Sequence, residues 1–129
     1  MDKPKFIQVL EGEIGVEEPE AEKYFEATDY GEPDEDTPYC AACLCWCLEK
    51  SGLKSPHSAA AMSFQHYGKE VPEGTLYAIV VFRWRNGGHH VSTWHGDGFL
   101  GGNQTGDHEV CIEDLPWSRA IAWRMPLGV

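Results

Sequence analysis

The sequence predicts an α+β fold, with N-terminal helices packed against an antiparallel β-sheet. Three observations carry that expectation. Apolar residues recur at helical spacing near the start; residues 38–50 form one apolar helical run; and after Pro72-Glu73-Gly74 the pattern turns to short β-branched and aromatic stretches separated by Gly-rich turns. Helices first and strands afterwards, joined by short turns, is the order of an α+β chain. The length of 129 residues accommodates a single domain, residues 1–129, with a core of its own. With 42% apolar residues and five each of Trp, Tyr and Phe, the composition is that of a folded globular chain.

In residues 4–14, Phe6, Val9, Leu10 and Ile14 share one helical face, with Lys5, Glu11 and Glu13 opposite. Gly15 ends this helix, Glu17-Glu18-Pro19-Glu20 forms a turn, and residues 21–27 suit a short second helix. Residues 28–36 are acidic and rich in Gly and Pro, so they read as a surface loop leading to Thr37. The next helix, 38–50, is apolar nearly all round and is expected to be covered on most sides, with Ser51-Gly52 closing it. Thr37 is the expected N-cap and Pro38 the first helical residue, which places Cys40 in the first turn. Residues 55–67 contain the helix formers Ala59-Ala60-Ala61-Met62 and stop at Gly68. Strands are expected at 77–82, 90–94, 99–100, 110–112 and 120–123, the first two separated by Asn86-Gly87-Gly88.

The net charge of −11 argues against a phosphate-contacting nucleic-acid binder and disfavours adhesion to anionic lipid. Most of the carboxylates read as a solvated face. No segment approaches membrane-spanning length, and Met1-Asp2-Lys3-Pro4-Lys5 precedes no apolar signal-peptide core, so synthesis in the cytoplasm is expected. The cysteines number five, four of them on one helix, where neighbours are poor disulfide partners; reduced thiols are expected.

Among these thiols Cys40 stands apart. A helix start offers amide N–H groups without intrahelical partners and the positive end of the dipole, both of which favour a thiolate. A thiolate nucleophile needs a base, and the base needs a third group to hold its ring. Among six histidines, His90 opens a strand after a tight turn, and Asn103 follows Gly101-Gly102. Cysteine on a helix, histidine at a strand start and an amide beyond it is the Cys-His-Asn logic of papain-like enzymes. Cys43, Cys45, Cys47 and Cys111 read as core residues. A zinc site needs ligands converging from separate directions, whereas residues 40, 43, 45 and 47 diverge from one helix, so no metal and no cofactor are expected.

The chain resembles the NlpC/P60 and CHAP superfamily of cell-wall cysteine peptidases and amidases, in particular small single-domain members. The resemblance is carried by Tyr39-Cys40-Ala41-Ala42-Cys43-Leu44-Cys45-Trp46-Cys47-Leu48 with Gly52, by Gly88-His89-His90-Val91-Ser92-Thr93-Trp94, and by Gly101-Gly102-Asn103-Gln104. Shorter matches at Glu13-Ile14-Gly15-Val16, Ser58-Ala59-Ala60-Ala61, Ile79-Val80-Val81-Phe82 and Trp123-Arg124-Met125-Pro126 extend it along nearly the whole chain, in order. The pattern departs at Tyr39, where the family has tryptophan, and at Ser92, where it has a second glycine. His89 beside His90 is a second candidate for the base.

The resemblance implies a papain-like fold and hydrolysis of an amide bond in peptidoglycan, as an endopeptidase or an N-acetylmuramoyl-L-alanine amidase. Carried over residue by residue, Cys40 is the nucleophile, His90 the general base and Asn103 the residue orienting it, with Tyr39 and Gln104 as substrate-binding positions. Such an enzyme acts at the cell wall or periplasm after non-classical delivery, as an injected antibacterial toxin or a phage lysin. Its partners would be the peptidoglycan peptide and an immunity or inhibitor protein, with no nucleic acid and no membrane. The competing expectations are a non-catalytic peptidoglycan- or protein-binding module and a thiol-rich metal-binding domain.

Overall fold

The computed structural model describes residues 2–104 and 108–129. Helix α1 (Lys5–Glu11) is followed by a 3₁₀ segment (Glu20–Ala27) and helix α2 (Cys40–Lys50). The strands are β1 (Lys69–Glu70), β2 (Ile79–Arg83), β3 (His89–Trp94), β4 (Phe99–Gly101), β5 (Cys111–Glu113) and β6 (Ala120–Met125), with further 3₁₀ turns at Ala61–Phe64 and Trp117–Arg119. They form one sheet in the order β1-β6-β2-β3-β4-β5, antiparallel at every pair. The α+β class and the packing of α2 on an antiparallel sheet are as the sequence predicts.

Alternation along β2 explains the two-sided core, because successive side chains leave a strand on opposite faces. Ile79 and Val81 join α2, α1 and the Glu20–Ala27 segment in one buried cluster, with Val91 and Leu100. Ala78, Val80 and Phe82 face the other way into a second cluster with Phe99, Leu115, Trp123 and Met125. A strand covered on both faces reads as a continuous apolar run, and the segment from Ile79 to Phe82 is one.

Several expected elements are shorter or begin elsewhere. Helix α1 ends at Glu11, since Gly12 and the turn to Gly15 break the ladder before Ile14, which is exposed. The predicted helix over 55–67 reduces to the 3₁₀ turn Ala61–Phe64, because His57 sits at a left-handed φ of 53° and Ala60 is extended, φ −90° and ψ 126°. Helix α2 begins at Cys40 rather than Pro38, with Tyr39 as N-cap. Thr37 does not cap it: the Thr37 hydroxyl donates instead to Asp34 Oδ1 at 3.1 Å. Among the described residues no helix is long and apolar enough to cross a membrane.

One polar contact ties the N-terminal helix to the sheet. His95, beyond the end of β3, meets Glu11 Oε2 through Nε2 at 2.7 Å and Asp97 Oδ1 through Nδ1 at 3.0 Å. Its partial burial favours the neutral ring, but the hydrogen bonds that its ring N–H groups donate to Glu11 and Asp97 outweigh this and raise its pKa above the ordinary 6.5. A raised folded pKa contributes stability that is complete below the unfolded value and is lost as pH rises through the folded one. His95→Gln is therefore expected to cost about 1 kcal/mol near pH 5 and distinctly less near pH 9, read as the difference in unfolding free energy from the unsubstituted chain. An equal cost at both values would remove the charge from this account.

Candidate active site

The start of α2 sets the first half of the site. Tyr39 takes a non-helical conformation, φ −121° and ψ 15°, and its carbonyl accepts from Cys43 N–H at 2.8 Å. The amides just ahead of Cys43 therefore have no partner within the helix. Cys40, as the first helical residue, lies closer to the dipole end than the sequence predicts, and Ala41 N–H reaches its sulfur. Cys40 is 6% exposed.

The second half comes from β3. Strand β4 pairs with β3 only at Thr93 and Trp94, so the stretch of β3 from His90 to Val91 runs on past its neighbour. There Val91 N–H turns to the Cys40 sulfur, and the His90 side chain hydrogen-bonds to it. His90 Nε2 lies 2.6 Å from Gln104 Oε1. The Gln104 amide donates through Nε2 to the carbonyls of Phe99, at 2.8 Å, and Cys111, at 3.4 Å. Since both donor contacts are spent on carbonyls, Oε1 must accept, which places a proton on His90 Nε2 and turns Nδ1 toward Cys40. Phe82 and Trp84 lie beside the imidazole, each with its ring centroid 6.2 Å away.

The electrostatics follow from this geometry. Burial alone would raise the Cys40 thiol, but the His90 charge and hydrogen bond, with Val91 and Ala41 N–H, bring it below the ordinary 9.0. Burial alone would lower His90; the Cys40 charge and hydrogen bond, then Gln104 and the field of Glu113, raise it above 6.5. Both shifts run in the direction that favours a thiolate facing an imidazolium. Elsewhere on α2 burial drives the thiols the other way: Cys43, beside Cys47, is pushed well up and Cys45 is raised.

The orienting residue is Gln104, not Asn103, and the turn shows why. A Cβ on Gly101 would stand 2.5 Å from Ser92 Oγ; one on Gly102 would stand 2.9 Å from Cys43 Cβ and 3.0 Å from the Tyr39 ring. Only glycine passes so close, and Asn103 then takes a left-handed φ of 51°, which asparagine tolerates well. That reversal sends Gln104 inward. Asn103 instead lines a cleft of about 420 Å³ with Glu17, Glu18, Glu35, Asp36, Pro38 and His108.

Both expected substrate-binding positions are corrected as well. Tyr39 is 1% exposed and Gln104 is fully buried, so neither offers surface to a substrate. The Tyr39 hydroxyl donates to the carbonyls of His108 and Val16, so this side chain braces the turn. His89 leaves β3 on the face opposite His90 and is not the ring at Cys40. Ser92, in place of glycine, is fully buried opposite Gly101, whose missing side chain makes room for it. Among the described residues no group of three or more His, Cys, Asp or Glu side chains converges as metal ligands. The sequence matches no family model and no curated protein.

Two predictions test the site. Iodoacetamide at about pH 6 should alkylate Cys40 well before the other four cysteines, with a peptide map identifying the labelled thiol, and His90→Ala should abolish that preference. Even, slow labelling of all five would refute the ion pair. In the same assay Gln104→Ala should slow labelling by about tenfold, since the imidazole loses both its tautomer and its anchor. Asn103→Ala should change it by less than about threefold, its cost of about 1 kcal/mol falling on the left-handed backbone and so on stability.

Proposed function

We propose that this protein is a cysteine hydrolase of amide bonds, with Cys40 as nucleophile, His90 as general acid and base, and Gln104 as the group that orients the histidine. The observation that carries the reading is the relay itself: a thiol at a helix start, an imidazole against it, and a buried carboxamide fixing the far nitrogen at 2.6 Å. The general chemistry of such a relay is acyl transfer through a thioester.

The Cys40 thiolate adds to the amide carbonyl, and the oxygen takes up the negative charge; the Cys40 backbone N–H, at the helix start, is the natural donor to it. The intermediate collapses as His90 Nδ1–H protonates the departing amine, leaving a thioester on Cys40. Neutral His90 then draws a proton from water, whose oxygen attacks the thioester and releases the acid, restoring the thiolate and imidazolium. Gln104 accepts from Nε2–H throughout and keeps Nδ1 aimed at the reacting atoms.

The papain-like NlpC/P60 or CHAP assignment, and peptidoglycan as substrate, are supported by the sequence resemblance at residues 39–48, 88–94 and 101–104, which are the stretches that furnish Cys40, His90 and Gln104. The bond cut is the stem-peptide amide or the one joining sugar to peptide. Delivery as an injected toxin with an immunity partner, or as a phage lysin, belongs to the same proposal.

A second reading, a non-catalytic binding module that keeps the fold, draws on the small exposure of Cys40, 6%. One experiment separates the two. Purified peptidoglycan digested with the protein should yield new soluble fragments whose masses identify the amide cleaved, and Cys40→Ala should release none. Sedimentation of intact protein with the sacculi, without fragments from either form, would establish the binder instead.

A further inference from the structure

Residue Trp84 lies just past the end of β2, and the turn that follows fixes its backbone. Trp84 N–H donates to Gly88 carbonyl at 2.8 Å, and its own carbonyl accepts from Gly87 N–H at 3.0 Å. The half-buried indole stacks on Phe82, with centroids 5.6 Å apart and planes 16° from parallel, and on His90, at 6.2 Å and 22°. Phe82 and His90 are partners across the β2–β3 pairing, with their own centroids 6.2 Å apart, so the three rings form a triangle with the imidazole at one corner.

The hydrogen bonds of His90 leave one motion poorly restrained. Hydrogen bonds at ring nitrogens act along the ring plane, so the contacts to Cys40 and Gln104 resist rocking about the line joining the two nitrogens only weakly. A flat partner against the ring face resists that motion, and an aromatic face also favours a cationic ring over a neutral one. The same indole lies beside His90, which is 7% exposed.

We propose that Trp84 is a positioning residue of the site: its indole holds the His90 ring in the plane that joins Cys40 to Gln104 and keeps water from the His90–Gln104 hydrogen bond. The proposal rests on the reading of Cys40 and His90 as a hydrolytic pair. It asks for an aromatic face at position 84, beyond apolar bulk.

Trp84→Phe and Trp84→Leu, of similar bulk to each other, separate those requirements in the full chain, with Trp84→Met in place of the latter should Trp84→Leu not fold. Two quantities are read: exchange with water of the His90 Nε2 proton, by nitrogen-15 NMR, and the rate of Cys40 alkylation at about pH 6. Trp84→Phe should keep the proton slow to exchange and the rate within about threefold, whereas Trp84→Leu should expose the proton and slow alkylation by about tenfold. Slow exchange and an unchanged rate in Trp84→Leu would overturn the proposal. Absence of preferential Cys40 labelling in the unsubstituted protein would instead overturn the hydrolytic reading, and the exchange comparison would still decide the role of Trp84.

Discussion

A charged sulfur and a charged ring cannot both be kept nearly out of water unless each is answered by oriented partners. Desolvation is the largest single influence on Cys40 and on His90, and on each it favours the neutral form. What counters desolvation is that the two groups face each other and that their remaining valences are filled: Ala41 and Val91 N–H at the sulfur, the Gln104 carbonyl oxygen at the far nitrogen. The fold can be understood as the means of bringing those groups to one point. A helix must begin at Cys40, a strand must outrun its neighbour at Val91, and a turn must point a carboxamide back into the interior.

The last of these demands is met by the Gly101-Gly102-Asn103-Gln104 turn, which is squeezed between two elements. Ser92 on β3 presses on Gly101, while Cys43 and Tyr39 of the helix start press on Gly102. The same helix that presents Cys40 thereby shapes the turn that holds His90 through Gln104. Tyr39 adds a further tie, its hydroxyl reaching across to His108 and Val16. Cys40, His90 and Gln104 are thus coupled through packing, and a change at the floor of the turn is felt at the ring.

Much of this was legible in the sequence because it is written in local pattern. The apolar helix containing Cys40, the β-branched run at Ile79 to Phe82 and the strand carrying His90 follow from periodicity and turn residues. The choice between Asn103 and Gln104 was not legible, because it depends on which of two adjacent residues takes the left-handed conformation under contacts from distant parts of the chain. Asparagine's tolerance of that conformation was the available signal. Thr37 failed as a cap because Asp34 engages its hydroxyl, a competition between nearby side chains that residue preferences do not resolve. The left-handed His57 and the extended Ala60 explain why a run of good helix formers yields only a 3₁₀ turn. The Val91 amide has no side-chain signature at all; only the pairing of β4 with β3 reveals it.

That pairing has an evolutionary corollary. Strand β4 spans only Phe99–Gly101, and its brevity leaves the Val91 amide to the sulfur. Were the hairpin to zip two residues further, the ordinary ladder would claim that amide and lay a backbone across the mouth of the thiol. Neutral drift can lengthen many sheet margins without penalty, but here growth would take an amide from the Cys40 sulfur while making the sheet larger, so on the proposed reading function and stability pull against one another at this spot.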